Sequence, residues 1–191
     1  MAKFAAESPR LWLQPLSLDH LEDFHAIMTD ATGLKFSKPS PNIDDTKSLL
    51  QKWTPSPEKP WIDNYAIILR SNSHDEVKVK MIGTVGTVRV PQGLEDAAEV
   101  AYGIHSDFWG QGYASEALGM FVALYCADGR ERLQGKKHLV AKIDPENPAS
   151  ERVVQKVGFE KGETVDGGYT RGGDEAGRDK SEYVWWVLKR S

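Results

Sequence analysis

The chain contains a single cysteine among 191 residues, so no disulfide bond can form within it. A lone cysteine is typical of proteins from a reducing compartment. Cys126 lies in an apolar stretch with helical spacing, and we therefore expect a buried, unreactive thiol. The opening residues MAKFAAESPR lack the apolar core of a signal peptide, and no apolar run approaches the ~20 residues of a membrane span. We expect a soluble, cytoplasmic protein without a membrane partner.

An excess of basic residues is also missing. Lysine and arginine number 24 against 28 aspartate and glutamate residues, and the formal net charge is -4. Because nucleic-acid-binding domains usually present a basic face, nucleic acid is not an expected partner. The five histidines show no ligand spacing with the cysteine or with carboxylates, and we expect no metal site.

The first half of the chain has the alternation of antiparallel strands. Residues 11–17 indicate a short strand, which a helix follows. The segment 33–60 contains five prolines and predicts mostly loop, with one helix from Asp44 to about Trp53.

Three strand-like segments come next, at 64–70, 77–90 and 98–104, with polar turns at 71–76 and 91–96. The middle segment predicts one long strand or a strand bent around Gly83 and Gly86. Short turns between strands are typical of an antiparallel meander.

The pattern changes in the second half, where apolar residues first recur at helical spacing. The predicted elements are a helix from Gly112 to about Ala127, a strand at 138–143, a helix opened by Asn147 or Ser150 and closed by Gly158, and a hairpin of 159–165 with 183–188. This order predicts one α/β (α+β) domain over residues 1–191, a meander followed by β-α-β-α-β-β.

The stretch FWGQGYASEAL, residues 108–118, places small residues between a strand and a helix. The first helical turn has N–H groups without helical partners and a partial positive charge, so glycines before it suit a phosphate cradle. A tight turn without a ligand is the alternative for Gly110 and Gly112. The lysine of a P-loop is missing, as are the third glycine and the strand-end acid of a dinucleotide-binding turn, which disfavours both of those sites.

AEVAYGIHSDFWGQGYASEAL (98–118), followed by DPENPASERVVQKVGFE (144–160), closely resembles the GNAT superfamily of acyl-CoA-dependent N-acetyltransferases. RLWLQPLSLDHLEDF (10–24) is similar to the opening of its RimJ/RimL-like branch, the ribosomal-protein N-terminal acetyltransferases. The resemblance covers most of the chain. It implies a single GNAT-like domain, whose mixed, mostly antiparallel sheet is splayed at the cofactor site and flanked by helices, and it implies acetyl-CoA as co-substrate.

The resemblance also implies how the cofactor is held. Trp109 stands where the family usually has Arg or Gln, which leaves the pyrophosphate to backbone amides. Pantetheine is expected where the strand ending at Ile104 parts from 138–143, and Asn147 matches the residue that contacts its arm. The implied cofactor-binding residues are Ile104, His105, Trp109, Gly110, Gln111, Gly112, Tyr113, Ala114, Ser115 and Asn147.

Amine acetylation needs a base that accepts the proton of the amine. Glu99 is the first candidate, because a carboxylate on this strand resembles the catalytic Glu of the histone-acetylating branch. It shares a strand face with Ala101 and Gly103, which suits an open cleft. The alternative is a surface carboxylate on an edge strand.

The departing thiolate needs a proton or a hydrogen-bond donor. Ser150 matches a serine common in this branch and is our candidate, with helix capping as its alternative role. Many family members carry a Tyr where this chain has Val154. Weaker candidates for proton transfer are Glu116, Tyr102 and Tyr169, whereas His105 is expected to shape the turn.

The resemblance places acceptor choice in segments 30–60 and 167–182. Trp53 and Trp61 would wall a cleft there or simply pack beneath a loop. The second segment mixes charges and also reads as a solvated loop, with Arg171, Asp174, Glu175, Arg178, Asp179 and Lys180.

We predict an acetyl-CoA-dependent N-acetyltransferase that acts by direct transfer to a primary amine, either a protein N-terminus or a small molecule. A cysteine nucleophile is disfavoured because Cys126 lies late in its helix. Two alternatives stay open, a non-catalytic acyl-CoA-binding sensor on the same fold and a dinucleotide-binding protein. A homodimer also stays open.

Overall fold

The computed structural model describes residues 4–37, 39–70, 80–127, 136–170 and 180–189, and within them eight strands form one sheet flanked by four α-helices. The strands are β1 (Ala6–Glu7), β2 (Leu11–Pro15), β3 (Asp63–Leu69), β4 (Met81–Arg89), β5 (Ala97–Ile104), β6 (His138–Ile143), β7 (Glu160–Thr170) and β8 (Lys180–Lys189). The α-helices are α1 (Leu21–Met28), α2 (Ile43–Lys52), α3 (Tyr113–Cys126) and α4 (Pro148–Val157). No helix in this part of the chain is long and apolar enough to span a membrane.

The strands lie in the order β1-β2-β3-β4-β5-β6-β8-β7. Every neighbouring pair is antiparallel except β5 and β6, which are parallel. The predicted meander and the predicted mixed, mostly antiparallel sheet are therefore confirmed. The two-residue strand β1 was not predicted, since two residues are too few to show an alternating pattern.

The sheet divides at its one parallel pair. The ladder between β5 and β6 runs only from Ala97↔His138 to Glu99↔Val140, although β5 continues to Ile104 and β6 to Ile143. Beyond Glu99 the two strands are unpaired with each other, which leaves a wedge-shaped gap in the middle of the sheet. The expected splay is confirmed, and its closed end lies at Glu99.

Each face of the sheet is covered by its own pair of helices. One buried cluster joins Val100 and Ile104 of β5 to Leu118 and Phe121 of α3 and to Val154 of α4. A second cluster packs α1 and α2 against the opposite face. Because side chains alternate along a strand, Glu99, Ala101 and Gly103 lie on the α1/α2 face.

Gly83 and Gly86 bring neighbouring strands close together. A Cβ atom at Gly83 would lie 2.1 Å from the carbonyl oxygen of Gly103, and one at Gly86 would lie 2.2 Å from Asn64 Oδ1. Segment 81–89 forms the single strand β4, with a register shift opposite Ile67 and Ile68. These glycines therefore mark close backbone approach within the sheet.

The ends of α4 match the sequence signals. Asn147 is the N-cap, and its Oδ1 accepts a hydrogen bond from Ser150 N at 3.1 Å. Gly158 ends the helix in a left-handed conformation with φ 97°. Of the two predicted openers, Asn147 is the correct one, so the interpretation of Ser150 as the capping residue is wrong.

The expectation of a buried thiol at Cys126 is wrong, because this cysteine is exposed. Its neighbour Tyr125 points into the core. Successive helical residues lie about 100° apart, so Cys126 falls off the apolar stripe that contains Phe121 and Tyr125.

Candidate functional site

The turn between β5 and α3 owes its shape to two glycines. After the 3-10 turn Ser106–Phe108, Gly110 adopts φ 75° and Gly112 adopts φ 80°. Both values lie in the left-handed region, which costs residues with a Cβ roughly 1–2 kcal/mol. A Cβ added at Gly110 would meet no atom within 4 Å. The backbone conformation therefore requires the glycines, and the space in front of Gly110 is open.

The N-terminus of α3 faces this space. Its first helical hydrogen bond joins Glu116 N to the Gly112 carbonyl oxygen at 3.1 Å. The N–H groups of Tyr113, Ala114 and Ser115 precede that bond and carry the partial positive charge of the helix end. An anionic phosphate group fits such a cradle. We call residues Gly110–Ser115 the cradle.

The hairpin that joins β1 to β2 contacts the cradle and the first turn of α3 through the side chains of Ser8 and Arg10. Arg10 Nη1 donates to the Gln111 carbonyl oxygen at 2.9 Å, and its Nε donates to Glu116 Oε2 at 2.8 Å. Ser8 Oγ donates to Glu116 Oε1 at 2.6 Å, and the Arg10 guanidinium lies 4.7 Å from the Tyr113 ring centroid. Glu116 thus anchors the hairpin. The contacts of Arg10 and Ser8 were not predicted, because both residues lie about a hundred residues from Glu116 along the chain.

Trp109 connects the turn to the gap in the sheet. Its indole Nε1 donates to the Ile104 carbonyl oxygen at 2.7 Å, and 51% of the residue is exposed. His105 N donates to the Ile82 carbonyl oxygen at 2.9 Å, so this amide is bonded within the sheet. Backbone groups alternate in direction along a strand. The N–H of Ile104 and both backbone groups of Tyr102 therefore face away from β4, toward the gap.

The N-terminus of α4 lies across the gap from Tyr102. Tyr102 Oη donates to the Ser150 carbonyl oxygen at 3.0 Å. Burial raises the pKa of Tyr102 and outweighs the opposing effect of a side-chain hydrogen bond with Ser150, so the phenol stays protonated. Val154, one helical turn beyond Ser150, is fully buried in the α3/α4 core. In α4, Ser150 is therefore placed beside the gap and Val154 away from solvent.

Glu99 sits at the closed end of the gap on the α1/α2 face. Its side chain is 8% exposed, and Arg89 Nε lies 3.2 Å from its Oε2. Burial raises the pKa of Glu99, against the opposing attraction of Arg89 and Lys142. Since β5 is an interior strand, the alternative of a surface carboxylate on an edge strand is wrong. The expected open face is also wrong for Glu99 itself.

The position of Arg89 depends on an irregularity in β4. Thr87 pairs with Val100 and Arg89 pairs with Glu99, so Val88 is an extra residue on this strand. Such a bulge redirects the side chains that follow it. Here it places Arg89, which is 64% exposed, opposite the buried carboxylate.

Lys142 of β6 approaches the same cluster from the other side. Burial lowers the pKa of Lys142, against the opposing effect of Glu99. Its Nζ lies 4.0 Å from the Tyr183 ring centroid, and Tyr183 packs edge-on against Trp185 at 5.2 Å. We call Arg89, Glu99 and Lys142 the Glu99 cluster.

The floor between this cluster and the cofactor turn is open. Ala101 and Gly103 are half-buried, and a Cβ added at Gly103 would meet no atom within 4 Å. These two residues are therefore partly accessible on the face that carries Glu99. Trp53 packs against Phe24 at 5.5 Å, in agreement with the packing alternative for that tryptophan.

The second predicted acceptor segment is described only at its ends. Arg171, Asp174, Glu175, Arg178 and Asp179 lie outside the described residues, as do the side chains of Tyr169 and Lys180. Within the ranges that the structure describes, no group of three or more His, Cys, Asp or Glu side chains is arranged to hold a metal ion.

Comparisons with known proteins agree with this geometry. The family model described as "Acetyltransferase (GNAT) domain" matches residues 10–160. The uncharacterized N-acetyltransferase p20 of Bacillus licheniformis is 25% identical over 184 residues, which cover 95% of this chain and 94% of p20.

Solved structures share the fold over nearly the whole chain. RimL, described as ribosomal L7/L12 alpha-N-protein acetyltransferase in complex with coenzyme A, has a TM-score of 0.77 at 17% identity and 97% coverage of both chains. The ribosomal-protein-S5-alanine acetyltransferase of Vibrio fischeri has a TM-score of 0.74 at 14% identity, with 97% and 96% coverage. At these identities the likeness shows the fold.

Proposed function

The chain belongs to the GNAT acetyltransferase family, and on this basis we propose that it transfers an acetyl group from acetyl-CoA directly to a primary amine. One observation carries the proposal: the gap between β5 and β6 leads into the open cradle at the N-terminus of α3. A long ligand with an anionic middle fits such a site, with its phosphates on the cradle and its arm between the strands.

The chain's own residues supply the contacts for acetyl-CoA. We assign the pyrophosphate to the backbone amides of Gly110–Ser115. The hydrogen bonds from Arg10 to the Gln111 carbonyl oxygen and to Glu116 hold these amides in place. We assign the pantetheine arm to the gap-facing backbone of Tyr102 and Ile104 and to Asn147 at the start of α4. Acetyl-CoA, when bound, supplies an activated thioester.

Glu99 is the proposed base. It lies at the closed end of the gap, on the face where Gly103 leaves room for an acceptor. As a carboxylate it would take the proton of the incoming ammonium group, directly or through water. The raised pKa brings Glu99 closer to the operating range of a general base than a fully exposed glutamate is.

Ser150 is the proposed donor to the departing thiolate. It lies in the first turn of α4, and the carbonyl oxygen of Ser150 already accepts from Tyr102 across the gap. Since Asn147 caps the helix, the Ser150 hydroxyl is not required as the cap. No acyl-enzyme is invoked: Cys126 is the last residue of α3, roughly 20 Å along the helix from the cradle.

The acceptor class is tested by an amine panel. The wild-type chain is incubated with acetyl-CoA and either peptides with free N-terminal Ser or Ala, or small primary amines. Release of the CoA thiol and the mass of the product are both recorded. We expect acetylation of at least one class, and peptides are favoured because the names of two structural neighbours describe protein acetylation. Binding of acetyl-CoA without transfer to any amine would favour the non-catalytic sensor instead.

A further inference from the structure

Asp30 joins two parts of the chain that are far apart in sequence. It follows α1, at the start of the segment that leads to α2, and its Oδ2 accepts a hydrogen bond from Ser106 N at 2.8 Å. Ser106 opens the 3-10 turn that leads to the cradle. The bond therefore ties segment 30–37 to the cofactor turn.

Both ends of this connection are well anchored. Asp30 Oδ1 accepts from Thr32 N at 3.1 Å, and the Asp30 carbonyl oxygen accepts from Leu34 N at 3.0 Å. A Cβ at Gly33 would lie 2.6 Å from Asp30 Oδ2, so the segment folds closely around the carboxylate. A displacement of Asp30 would therefore displace the whole turn 30–34.

On the cofactor side, the Ser106 carbonyl oxygen accepts a hydrogen bond from Trp109 N at 3.1 Å, and the Trp109 indole Nε1 donates one to the Ile104 carbonyl oxygen. Burial opposes ionisation of Asp30, but hydrogen bonds from Ser106 and Gly33 outweigh it and lower the pKa of Asp30. Asp30 is thus an anion that holds the turn through charge-assisted hydrogen bonds, which are stronger than neutral ones.

We infer that Asp30 is a positioning residue that couples the cofactor turn to segment 30–37, so that coenzyme binding at the cradle also orders this segment. The inference rests on the proposed function for the coenzyme, and it adds a physical link between the cradle and the segment that leads to α2. Coupling of this kind is reciprocal: a ligand that stabilises the turn also stabilises the segment, and loss of the link lowers the affinity for that ligand.

Hydrogen exchange with and without CoA tests the inference on the whole chain. In the wild type we expect CoA to slow exchange at the cradle and, by about fivefold or more, in segment 30–37. In Asp30→Ala we expect the cradle to stay protected by saturating CoA while the effect on segment 30–37 is lost. Asp30→Asn keeps an oxygen acceptor and should retain part of the effect.

Thr32→Ala is the matched control, because Thr32 is exposed and only its backbone contacts Asp30. It should keep the full response. By reciprocity, Asp30→Ala should also weaken CoA binding about fivefold, which a purely local role in segment 30–37 would not do. Exchange in β3 reports whether each variant remains folded.

The outcomes separate this inference from the proposed function. If CoA protects neither region in the wild type, the proposed cofactor site itself is wrong. If CoA protects the cradle but not segment 30–37, or protects the segment equally in Asp30→Ala, the coupling is wrong and the cofactor site stands.

Discussion

The cradle and the Glu99 cluster lie at opposite ends of the same gap and are built in different ways. The cradle consists of consecutive residues, Gly110–Ser115, and offers backbone N–H groups whose direction depends on two left-handed glycines. The Glu99 cluster joins side chains of β4, β5 and β6 and holds a buried carboxylate between two cations. The cradle therefore depends on backbone conformation, whereas the Glu99 cluster depends on long-range packing and charge.

This difference predicts that substitutions in the two regions have separate effects, on CoA affinity at the cradle and on turnover at the Glu99 cluster. The largest effect is expected from Glu99→Gln, which keeps the shape of the side chain but removes the base. Turnover on the best amine should fall about 100-fold or more, while the affinity for CoA should stay within about twofold. Steady-state kinetics and CoA calorimetry measure the two quantities. Turnover close to that of the wild type would remove Glu99 from the chemistry.

Gly112→Val should disrupt the backbone conformation of the cradle. The left-handed φ at Gly112 is strained for any residue with a Cβ, and a strain of about 1.4 kcal/mol corresponds to a tenfold change in affinity. We expect CoA to bind at least about tenfold more weakly, measured by calorimetry. Gly119→Ala is the control, since Gly119 lies within α3 and a Cβ there meets no atom within 4 Å. Equal losses in both variants would contradict a specific role for the cradle.

Arg10→Ala should have a smaller effect on the same end. It removes the bonds to the Gln111 carbonyl oxygen and to Glu116, which are worth about 1 kcal/mol for a partly exposed pair. CoA affinity should fall about fivefold. Lys47→Ala changes the net charge equally, at an exposed position of α2, and should leave the affinity unchanged. An equal loss of CoA affinity in Lys47→Ala would mean that the net charge, and not the hydrogen bonds of Arg10, is responsible.

The smallest effect is a shift in pH dependence at the Glu99 cluster. Arg89 from β4 and Lys142 from β6 both favour the carboxylate, so Arg89→Gln should raise the pKa of Glu99 further. The acidic limb of the turnover profile should move to higher pH, with unchanged CoA affinity. An unmoved or lowered limb would contradict Glu99 as the titrating base.

The raised pKa of Glu99 also makes the stability of the fold depend on pH. Because the folded state raises the pKa of Glu99 above its unfolded value, this group stabilises the fold at low pH and loses that contribution as pH rises through the folded pKa. Arg89→Gln should enlarge the loss. Thermal unfolding at several pH values measures it.

The sequence predicted the two regions to different extents. Local signals were enough for the cradle and for α4, since glycines, the Asn147 cap and helical spacing act between near neighbours. Glu99 was identifiable as a candidate, but its burial and its cations depend on the bulge at Val88 and on the parallel pairing with β6. Neither feature has a local sequence signal.

Contacts between distant segments were likewise missed. Arg10 reaches Glu116 and Asp30 reaches Ser106 only because the meander folds the N-terminal elements over the cofactor turn. The exposure of Cys126 was misjudged for a related reason: an apolar stretch defines a stripe, and only the packed sheet decides which residues at its margin are covered.

Calorimetric titration of the wild-type chain with acetyl-CoA, and separately with NADH, tests whether the cradle is a coenzyme A site. We expect saturable binding of one acetyl-CoA per chain and no binding of NADH. An absence of acetyl-CoA binding would contradict the cradle and the proposed acetyl transfer together, and binding of NADH alone would assign the same turn to a dinucleotide.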